Sequence, residues 1–301
     1  MIKRRHARVF ASAVANETKA APIVYVFHPL FWPYVDGLDF CRVVYHADDR
    51  FSGMPDTTSE LAAYERALCE RADRIFTVTP GIAAALGEAA VGKTAIVPNG
   101  ADADAYERAL RSPVPDQLAG IPRPRIAYAG SLNEKIDFGL IARLARARPN
   151  IQWLLIGFIG VEQRFSRDTR ASLEACRQLA NVHFLGMKDY SDLPPYCAHV
   201  DANAMFYRTD GEGWWHDIYP LKLHECLATG RPLLSSDIAA VREFADVVTL
   251  CRTDDEWLAA VDAAAAGSDR GSASERIAVA RRNTWDVRVD QIEADLARLG
   301  D

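Results

Sequence analysis

Residues 214–232 read WWHDIYPLKLHECLATGRP and carry the clearest structural signal in the chain. Pro220 favours the first turn of a helix and Gly230 favours its end, so a short helix is predicted between them. The backbone N–H groups of its first turn, near Leu221 and Lys222, make that end attractive to anions. Lys222 adds a mobile positive charge there. The stretch therefore predicts an anion-binding helix N-terminus.

Glu225 lies away from the apolar side of that predicted helix. At about 100° per residue, one side collects small and apolar residues: Leu223, Cys226, Leu227 and Gly230. Two interpretations of Glu225 follow: a solvated surface glutamate, or an acceptor that points into a cleft. Periodicity favours the solvated glutamate.

Short apolar runs alternate with helical patterns along the whole chain. This alternation is typical of βα units around a parallel sheet, so the predicted fold class is α/β. The strands predicted in the first part are 23–27, 42–45, 75–78 and 95–97. Those predicted in the second part are 125–129, 152–156, 182–185, 202–206, 232–235 and 247–250. Six strands suit a doubly wound sheet, which binds ligands beyond the carboxyl ends of its strands.

The densest cluster of Pro and Gly residues, at 113–124, predicts a linker between two domains. Residues 1–112 then form an N-terminal Rossmann-like domain, and 125–285 form a C-terminal one. A last helix is predicted over 286–301, and its crossing back to the N-terminal domain is one possibility.

Composition limits the function classes that remain. The chain has 301 residues, 49% hydrophobic and 25% charged, as in ordinary globular proteins. Its net charge of -6 argues against a general nucleic-acid surface. No apolar run reaches the roughly 18 residues of a membrane span. The six cysteines never form C-x-x-C and lie in apolar patterns, which is typical of reduced, buried, cytoplasmic use. No His, Cys and carboxylate cluster has ligand spacing, so no metal and no cofactor are expected.

The start of the chain is basic and allows two interpretations. Lys3, Arg4, Arg5 and Arg8 face no acid in the first sixteen residues. They form either a solvated helix face, which we favour, or a peripheral contact with the anionic inner surface of a membrane. The apolar run 9–15 imitates a short secretory signal, but an amphipathic helix is the preferred interpretation.

Several motifs, in their order along the chain, resemble GT-B fold glycosyltransferases of the family 4 type (glycosyl transferases group 1). Asp217 and Glu225 have D-x7-E spacing, similar to the E-x7-E pattern of that family, and a G-R-P run follows. The other matching segments are 43–49, 65–75, 97–100, 127–130, 184–186 with 193–196, and 284–286. The chain is most similar to the bacterial branch that builds exopolysaccharide or cell-surface glycans.

The resemblance implies two Rossmann-like domains that face each other across a cleft. The opening βα units of the N-terminal domain have no counterpart in the sequence, so that domain is expected to be incomplete. We therefore expect either that Met1 is an internal or mis-assigned start, or that the protein is truncated and has an exposed sheet edge.

The resemblance also assigns the donor side of the site. It implies that Glu225 accepts hydrogen bonds from the ribose hydroxyls of the donor. The backbone at Leu221 and Lys222 would hold the diphosphate. Asp217 stands where the family has a glutamate near the transferred sugar, and its side chain is one methylene shorter.

One cation of the family pattern is missing. Relatives carry an Arg after the glycine that corresponds to Gly130, whereas this chain has Ser131. Lys135 is a second candidate partner for the diphosphate. Arg208 is a candidate replacement for the missing guanidinium, and an ordinary surface arginine is the equal alternative.

His46 matches the histidine with which the family contacts the sugar ring, and its alternative is a satisfied histidine at a strand end. His28 is the second candidate. Asp48 and Asp49 allow a metal-site interpretation, but GT-B enzymes generally work without the metal of the other main glycosyltransferase fold. Residues 87–94 fit G-x-x-x-x-G-K-[ST], yet a helical pattern precedes them and a strand follows, the reverse of a phosphate-binding loop.

The expected activity is retaining transfer of a hexosyl group from a nucleotide diphosphate sugar to a hydroxyl of a glycan or lipid-linked acceptor. Three alternatives stay open. One is a catalytically silent GT-B protein that binds nucleotides or serves as a scaffold, and another is a sugar-nucleotide epimerase on the same fold. The third is an unrelated Rossmann oxidoreductase, against which the absence of G-x-G-x-x-G argues.

Overall fold

A computed structural model describes residues 22–36, 38, 42–54, 57–210, 213–268 and 270–298, without the side chain of Trp214. The basic start with Lys3, Arg4, Arg5 and Arg8, the run 9–15 and Cys41 lie outside the described residues. The chain divides into two compact units. Unit 1 comprises Met1–Pro98, Glu212–Tyr219 and Val289–Asp301, and unit 2 comprises Asn99–Gly211 and Pro220–Arg288.

Unit 1 is built on a parallel sheet of four described strands in the order β1-β2-β3-β4. The strands are β1 (Ile23–Val26), β2 (Arg42–Ala47), β3 (Arg74–Thr77) and β4 (Thr94–Ile96). The described helices of unit 1 are α1 (Trp32–Val35), α2 (Ser59–Arg71) and α3 (Pro80–Ala85). Because α3 precedes residues 87–94 and β4 follows them, the reversed context predicted for that glycine motif is confirmed.

The two faces of the unit 1 sheet have different partners. Tyr25 pairs in register with Val44, and His46 pairs with Phe76, so these four side chains share one face. The end of the C-terminal helix packs on this face through Ile292. The opposite face contacts α2, where the Tyr45 hydroxyl donates to Glu65 Oε1 at 2.8 Å and the Leu68 side chain is fully buried.

Unit 2 contains a six-stranded parallel sheet in the order β7-β6-β5-β8-β9-β10. The strands are β5 (Arg125–Ala129), β6 (Gln152–Ile156), β7 (Val182–Gly186), β8 (Ala202–Met205), β9 (Leu233–Ser236) and β10 (Thr249–Cys251). This is the 3-2-1-4-5-6 order of a doubly wound sheet, so the strand order reverses between β5 and β8. The prediction of a doubly wound second sheet is confirmed.

Helices cover the unit 2 sheet. They are α4 (Ala103–Arg108), α5 (Asp116–Ala119), α6 (Phe138–Ala147), α7 (Arg167–Arg177), α8 (Leu193–Ala198), α9 (Lys222–Ala228), α10 (Asp254–Ala265) and α11 (Ala273–Arg281). The last helix, α12 (Trp285–Ala297), begins in unit 2 and ends in unit 1. Short 3-10 helices occur at 29–31, 51–53, 88–90, 109–111, 162–164, 190–192, 214–217 and 239–244.

The division between the units differs from the sequence-based boundary. It lies between Pro98 and Asn99, and the predicted linker 113–124 belongs to unit 2. The physical reason is that the Pro-rich stretch is packed: Leu118 is fully buried, and the Arg125 guanidinium donates to its carbonyl at 2.6 Å. The breakers therefore shape a folded loop with one helical turn.

The described cysteines are buried and form no disulfides, as their apolar surroundings predicted: Cys69, Cys176, Cys197, Cys226 and Cys251. Among the described residues, no helix is long and apolar enough to cross a membrane.

Candidate functional site

The carboxyl ends of β5 and β8 lie where the strand order of unit 2 reverses. Gly130 follows β5 with a φ of 139°, and its N–H donates to the carbonyl of Ile156 at 2.8 Å. A Cβ at Gly130 would lie 2.7 Å from Lys222 Nζ. Only glycine accepts both the positive φ and this close amine. The lysine of the predicted helix is thus brought directly to the end of β5.

Lys222 is held by two tyrosines. Its Nζ donates to the Tyr207 hydroxyl at 2.9 Å and to the Tyr128 hydroxyl at 3.3 Å. The same amine lies 4.6 Å from the Tyr128 ring centroid and 5.3 Å from that of Tyr207, close enough for cation–π attraction. The expectation of a mobile charge was wrong, because these contacts fix the side chain. Burial opposes the charged amine, but the two tyrosines outweigh it and raise the pKa of Lys222 above its usual value.

Lys135 brings a second cation to the same place. Its Nζ lies 5.8 Å from the ring centroid of Tyr207. The loops that follow β5 and β8 are also joined, because the Arg208 N–H donates to the carbonyl of Lys135 at 2.9 Å. Lys135 and Lys222 therefore both lie against the Tyr207 ring, and Gly130 adjoins Lys222. Ser131, the next residue, is exposed.

The guanidinium of Arg208 has carboxylate partners. It contacts Glu134 Oε1 at 3.4 Å and Asp210 Oδ1 at 3.2 Å, and Nη1 donates to Thr169 Oγ1 at 3.3 Å. Because Glu134 and Asp210 balance the charge of the Arg208 guanidinium, this side chain suits a structural role. The assignment of Arg208 to the diphosphate stays a prediction.

Glu225 is buried, with 7% of its surface exposed. The solvated interpretation favoured by helical periodicity was wrong, because α9 packs against α4, α8 and α11. The carboxylate accepts from the Tyr190 hydroxyl at 2.8 Å. Burial raises the pKa of Glu225, and the Tyr190 hydrogen bond and the charge of Lys222 counteract part of that rise. A buried carboxylate with a perturbed pKa is typical of a functional site, and the contact of Glu225 with the ribose stays a prediction.

At the start of α9, the Leu223 N–H donates to the carbonyl of Pro220 at 3.1 Å. The side chain of Leu221 is 52% exposed. The diphosphate contact of the backbone at Leu221 and Lys222 stays a prediction.

His46 lies near the carboxyl end of β2 in unit 1 and is 9% exposed. Its Nδ1 is hydrogen-bonded to the Tyr25 hydroxyl at 2.8 Å. Burial lowers the pKa of His46 to about 4, so the imidazole is neutral at pH 7. His28, the second candidate, accepts from the Leu30 N–H through Nδ1 at 3.1 Å and caps a 3-10 turn. A helix cap is a structural role for His28.

Asp217 belongs to unit 1, whereas Glu225 belongs to unit 2. Asp217 Oδ2 accepts from Arg50 Nη1 at 2.9 Å, and its carbonyl accepts from the Thr79 hydroxyl at 2.8 Å. Gly81 leaves room for the carboxylate, since a Cβ there would lie 1.9 Å from Asp217 Oδ1. The expectation of one domain over 125–285 therefore differs from the structure at this segment, whose contacts lie in unit 1.

Four tyrosines at these sites were not predicted from the sequence: Tyr25, Tyr128, Tyr190 and Tyr207. Tyr128 lies one residue before the end of β5, and Tyr207 lies two residues after the end of β8. These positions point to a ligand site only once the strand order shows that β5 and β8 are neighbours. Within the described ranges, no three His, Cys, Asp or Glu side chains come together as a metal site.

Comparison with known proteins relates this geometry to a family. Residues 123–267 match the family model described as glycosyl transferases group 1. A stretch of 146 residues is 25% identical to the putative teichuronic acid biosynthesis glycosyltransferase TuaH of Bacillus subtilis (strain 168). That match covers 48% of this chain and 35% of TuaH, so it spans about a third of the curated relative.

Two solved structures resemble nearly the whole chain. HepE of Anabaena, solved with UDP and glucose, is 18% identical with a TM-score of 0.68, over 97% of this chain and 80% of HepE. A trehalose-6-phosphate synthase, studied for glycosyl transfer with retention, is 16% identical with a TM-score of 0.69, over 98% of this chain and 78% of that one. The predicted α/β fold of the GT-B type is confirmed.

Proposed function

We propose that the protein transfers a hexosyl group from a nucleotide diphosphate sugar to a hydroxyl acceptor, since residues 123–267 match the family model described as glycosyl transferases group 1. One observation carries this proposal: the amines of Lys222 and Lys135 both flank the Tyr207 ring at the carboxyl ends of β5 and β8. A doubly wound sheet binds its ligand at this edge, and two cations suit a diphosphate.

The same cluster supports a chemical role. Negative charge grows on the diphosphate as it leaves, so donors that are already in place stabilise the transition state most. Lys222 is such a donor, because two tyrosines hold its amine before any ligand arrives. We assign Gly130, Ser131 and the backbone of Leu221 to the same diphosphate, with Lys135 as the second cation.

Glu225 is assigned to the ribose hydroxyls. A carboxylate accepts several hydrogen bonds through its two oxygens, and Tyr190 uses one position on Oε1. The remaining acceptor capacity suits a pair of neighbouring hydroxyls. Burial makes these hydrogen bonds stronger than they would be in water.

His46 and Asp217 are assigned to the sugar. His46 is neutral at pH 7, which suits contact with an uncharged hydroxyl. The carboxylate of Asp217 is already balanced by Arg50, so it suits an acceptor of sugar hydroxyls.

The finer assignments belong to the same proposal. Retention of the anomeric configuration has the support of the likeness to the trehalose-6-phosphate synthase. A role in surface polysaccharide or glycolipid synthesis has the support of the likeness to TuaH. We place the activity in the cytoplasm, with a peripheral contact of the basic start at the inner membrane face as part of the proposal.

A catalytically silent nucleotide-binding or scaffold protein is the second candidate. Two observations favour it: Ser131 replaces the family's arginine, and the Arg208 guanidinium is engaged by Glu134 and Asp210.

Binding and turnover separate the two candidates. Thermal shift with a panel of UDP-, GDP-, ADP- and dTDP-sugars identifies the donor, and release of nucleoside diphosphate measures transfer or hydrolysis. Glu225→Ala should abolish the shift, whereas Glu243→Gln, an exposed glutamate in the same unit, should leave it unchanged. Tight binding without any turnover would select the silent protein, and unchanged affinity in Glu225→Ala would refute the ribose assignment.

A further inference from the structure

The imidazole of His46 lies in an aromatic pocket of unit 1. The ring centroids of Tyr25, Phe27 and Phe76 lie 5.9, 5.4 and 5.9 Å from that of His46. The Phe27 ring is nearly parallel to the imidazole, at 24°, and is 54% exposed. These rings restrict the imidazole plane, so the two ring nitrogens point in set directions.

The Tyr25 hydroxyl determines which nitrogen carries the proton. A neutral imidazole has one N–H and one lone pair, and its Nδ1 is 2.8 Å from the Tyr25 oxygen. Among the described residues, no second partner of this hydroxyl is found. A phenol hydroxyl is a strong hydrogen-bond donor and a weak acceptor, whereas the lone pair of a neutral imidazole nitrogen is a strong acceptor. The pairing in which Tyr25 donates to Nδ1 is therefore the stronger of the two. Burial also raises the pKa of Tyr25, so the hydroxyl keeps its proton.

The other nitrogen of His46 is then an N–H that lacks an acceptor. Within the part of the chain that the structure describes, the buried Nε2 has no hydrogen-bond partner. Buried polar atoms are nearly always paired in native proteins, so an unpaired one requires an explanation, and a ligand contact is one such explanation. An N–H donor at this point fits a lone pair on oxygen, as in a sugar hydroxyl or a phosphate.

We propose that Tyr25 is a positioning residue that holds His46 in the tautomer with the proton on Nε2, so that His46 meets its substrate as a hydrogen-bond donor and does not act as a base. The substrate group is an oxygen of the glycosyl donor or acceptor. This inference rests on the proposed function for the identity of that oxygen, but the tautomer itself does not depend on any activity.

The test is nuclear magnetic resonance of the full chain with 15N-labelled histidine at pH 7. Long-range correlations between ring protons and nitrogens distinguish a protonated ring nitrogen from an unprotonated one. The His46 signals are assigned by their loss in His46→Gln. In the unmodified protein we expect an unprotonated Nδ1 and a protonated Nε2. In Tyr25→Phe, which keeps the ring and removes the hydroxyl, both His46 signals should move towards the average of two tautomers.

Tyr64→Phe, which removes an exposed hydroxyl in the same unit, is the control and should leave the His46 signals in place. A proton on Nδ1 in the unmodified protein, or unchanged His46 signals in Tyr25→Phe, would overturn the proposal. Kinetics then test its use: Tyr25→Phe should lower kcat/KM for the donor by about tenfold, the effect of one lost hydrogen bond.

The two measurements fail independently. If the tautomer is as expected and no sugar turns over, the proposed function fails and the role of Tyr25 in fixing the tautomer stands. If Tyr25→Phe shifts the tautomer but leaves kcat/KM unchanged, the claim that His46 meets the substrate as a donor is refuted.

Discussion

Tyrosine hydroxyls hold the principal nitrogen group in both units, but the charge of that group differs. In unit 2, Tyr128 and Tyr207 hold the amine of Lys222, whose pKa is raised, so it stays protonated. In unit 1, Tyr25 holds the imidazole of His46, whose pKa burial lowers to about 4. Burial disfavours both charges, and the lysine has two hydroxyls to offset that cost whereas the histidine has one. The first environment suits an anion and the second an uncharged hydroxyl.

The largest expected effect concerns the charged environment. Lys222→Met keeps an apolar side chain of similar length and removes the cation. We expect kcat/KM for the nucleotide sugar to fall by about 10²–10³, as for the loss of one preorganised donor at a leaving group. Kinetics of nucleoside diphosphate release measure this.

Lys93→Met, at a lysine of unit 1 that donates to the carbonyl of Glu70, is the control. A loss of less than fivefold in Lys222→Met would show that the unit 2 cation does not serve the diphosphate.

The next effect concerns the neutral environment. The pKa of His46 is about 4 in the folded protein against 6.5 for an ordinary histidine. Between these values the unfolded chain binds more protons, so stability rises with pH and is lost as the pH falls from 6.5 to 4. His46→Gln should remove about 3 kcal/mol of that pH dependence of unfolding.

Urea unfolding at pH 7, 5.5 and 4 measures the difference between the two proteins, and His216→Gln, an exposed histidine of the same unit, is the control. Parallel pH profiles for the unmodified protein and His46→Gln would contradict a neutral, desolvated imidazole.

The third prediction concerns Gly130, whose missing side chain leaves room for the Lys222 amine. Gly130→Ala adds a Cβ 2.7 Å from Lys222 Nζ at a φ of 139°. We expect a loss of about 1–3 kcal/mol of stability from the backbone strain and a weaker donor affinity from the displaced amine.

Gly120→Ala is the control, because within the described ranges its added Cβ would meet no neighbouring group within 4 Å. Thermal unfolding and donor titration of both variants decide the point. Equal behaviour of the two variants would mean that the end of β5 does not hold Lys222 in place.

The smallest effect concerns the acceptor in unit 2. Tyr190→Phe removes one of the interactions that lower the pKa of Glu225. Donor affinity should fall about threefold to tenfold. Because the ionised carboxylate is the acceptor, affinity should be lost as the pH falls, with a midpoint above the ordinary 4.5 and higher still in Tyr190→Phe.

Isothermal titration across pH 4.5–7.5 measures the midpoint, with Tyr64→Phe as control. An unchanged midpoint in Tyr190→Phe would show that the Tyr190 hydroxyl does not affect the ionisation of Glu225.

The strands were predictable because they are short apolar runs bounded by turn residues. Residues 125–129 and 152–156 were predicted with the bounds that β5 and β6 have. Helices α4 and α11 were not predicted, since their apolar residues do not form a clear stripe and tertiary contacts hold them. The predicted domain boundary at the Pro-rich stretch 113–124 differs from the division in the structure, because turn residues mark a bend and do not say whether the bend is packed.

The candidate site likewise has features that the local sequence predicted and features that it did not. Local chemistry was sufficient for the helix that carries Lys222 and Glu225 and for the α/β fold, because backbone preferences and periodicity act between near neighbours. Contacts between distant segments decided the rest. They buried Glu225 beside Tyr190, fixed Lys222 between two tyrosines and tied Asp217 to Arg50 in unit 1. A single residue's charge state depends on the atoms that surround it, and for Lys222 those atoms come from residues 15 and 94 positions away.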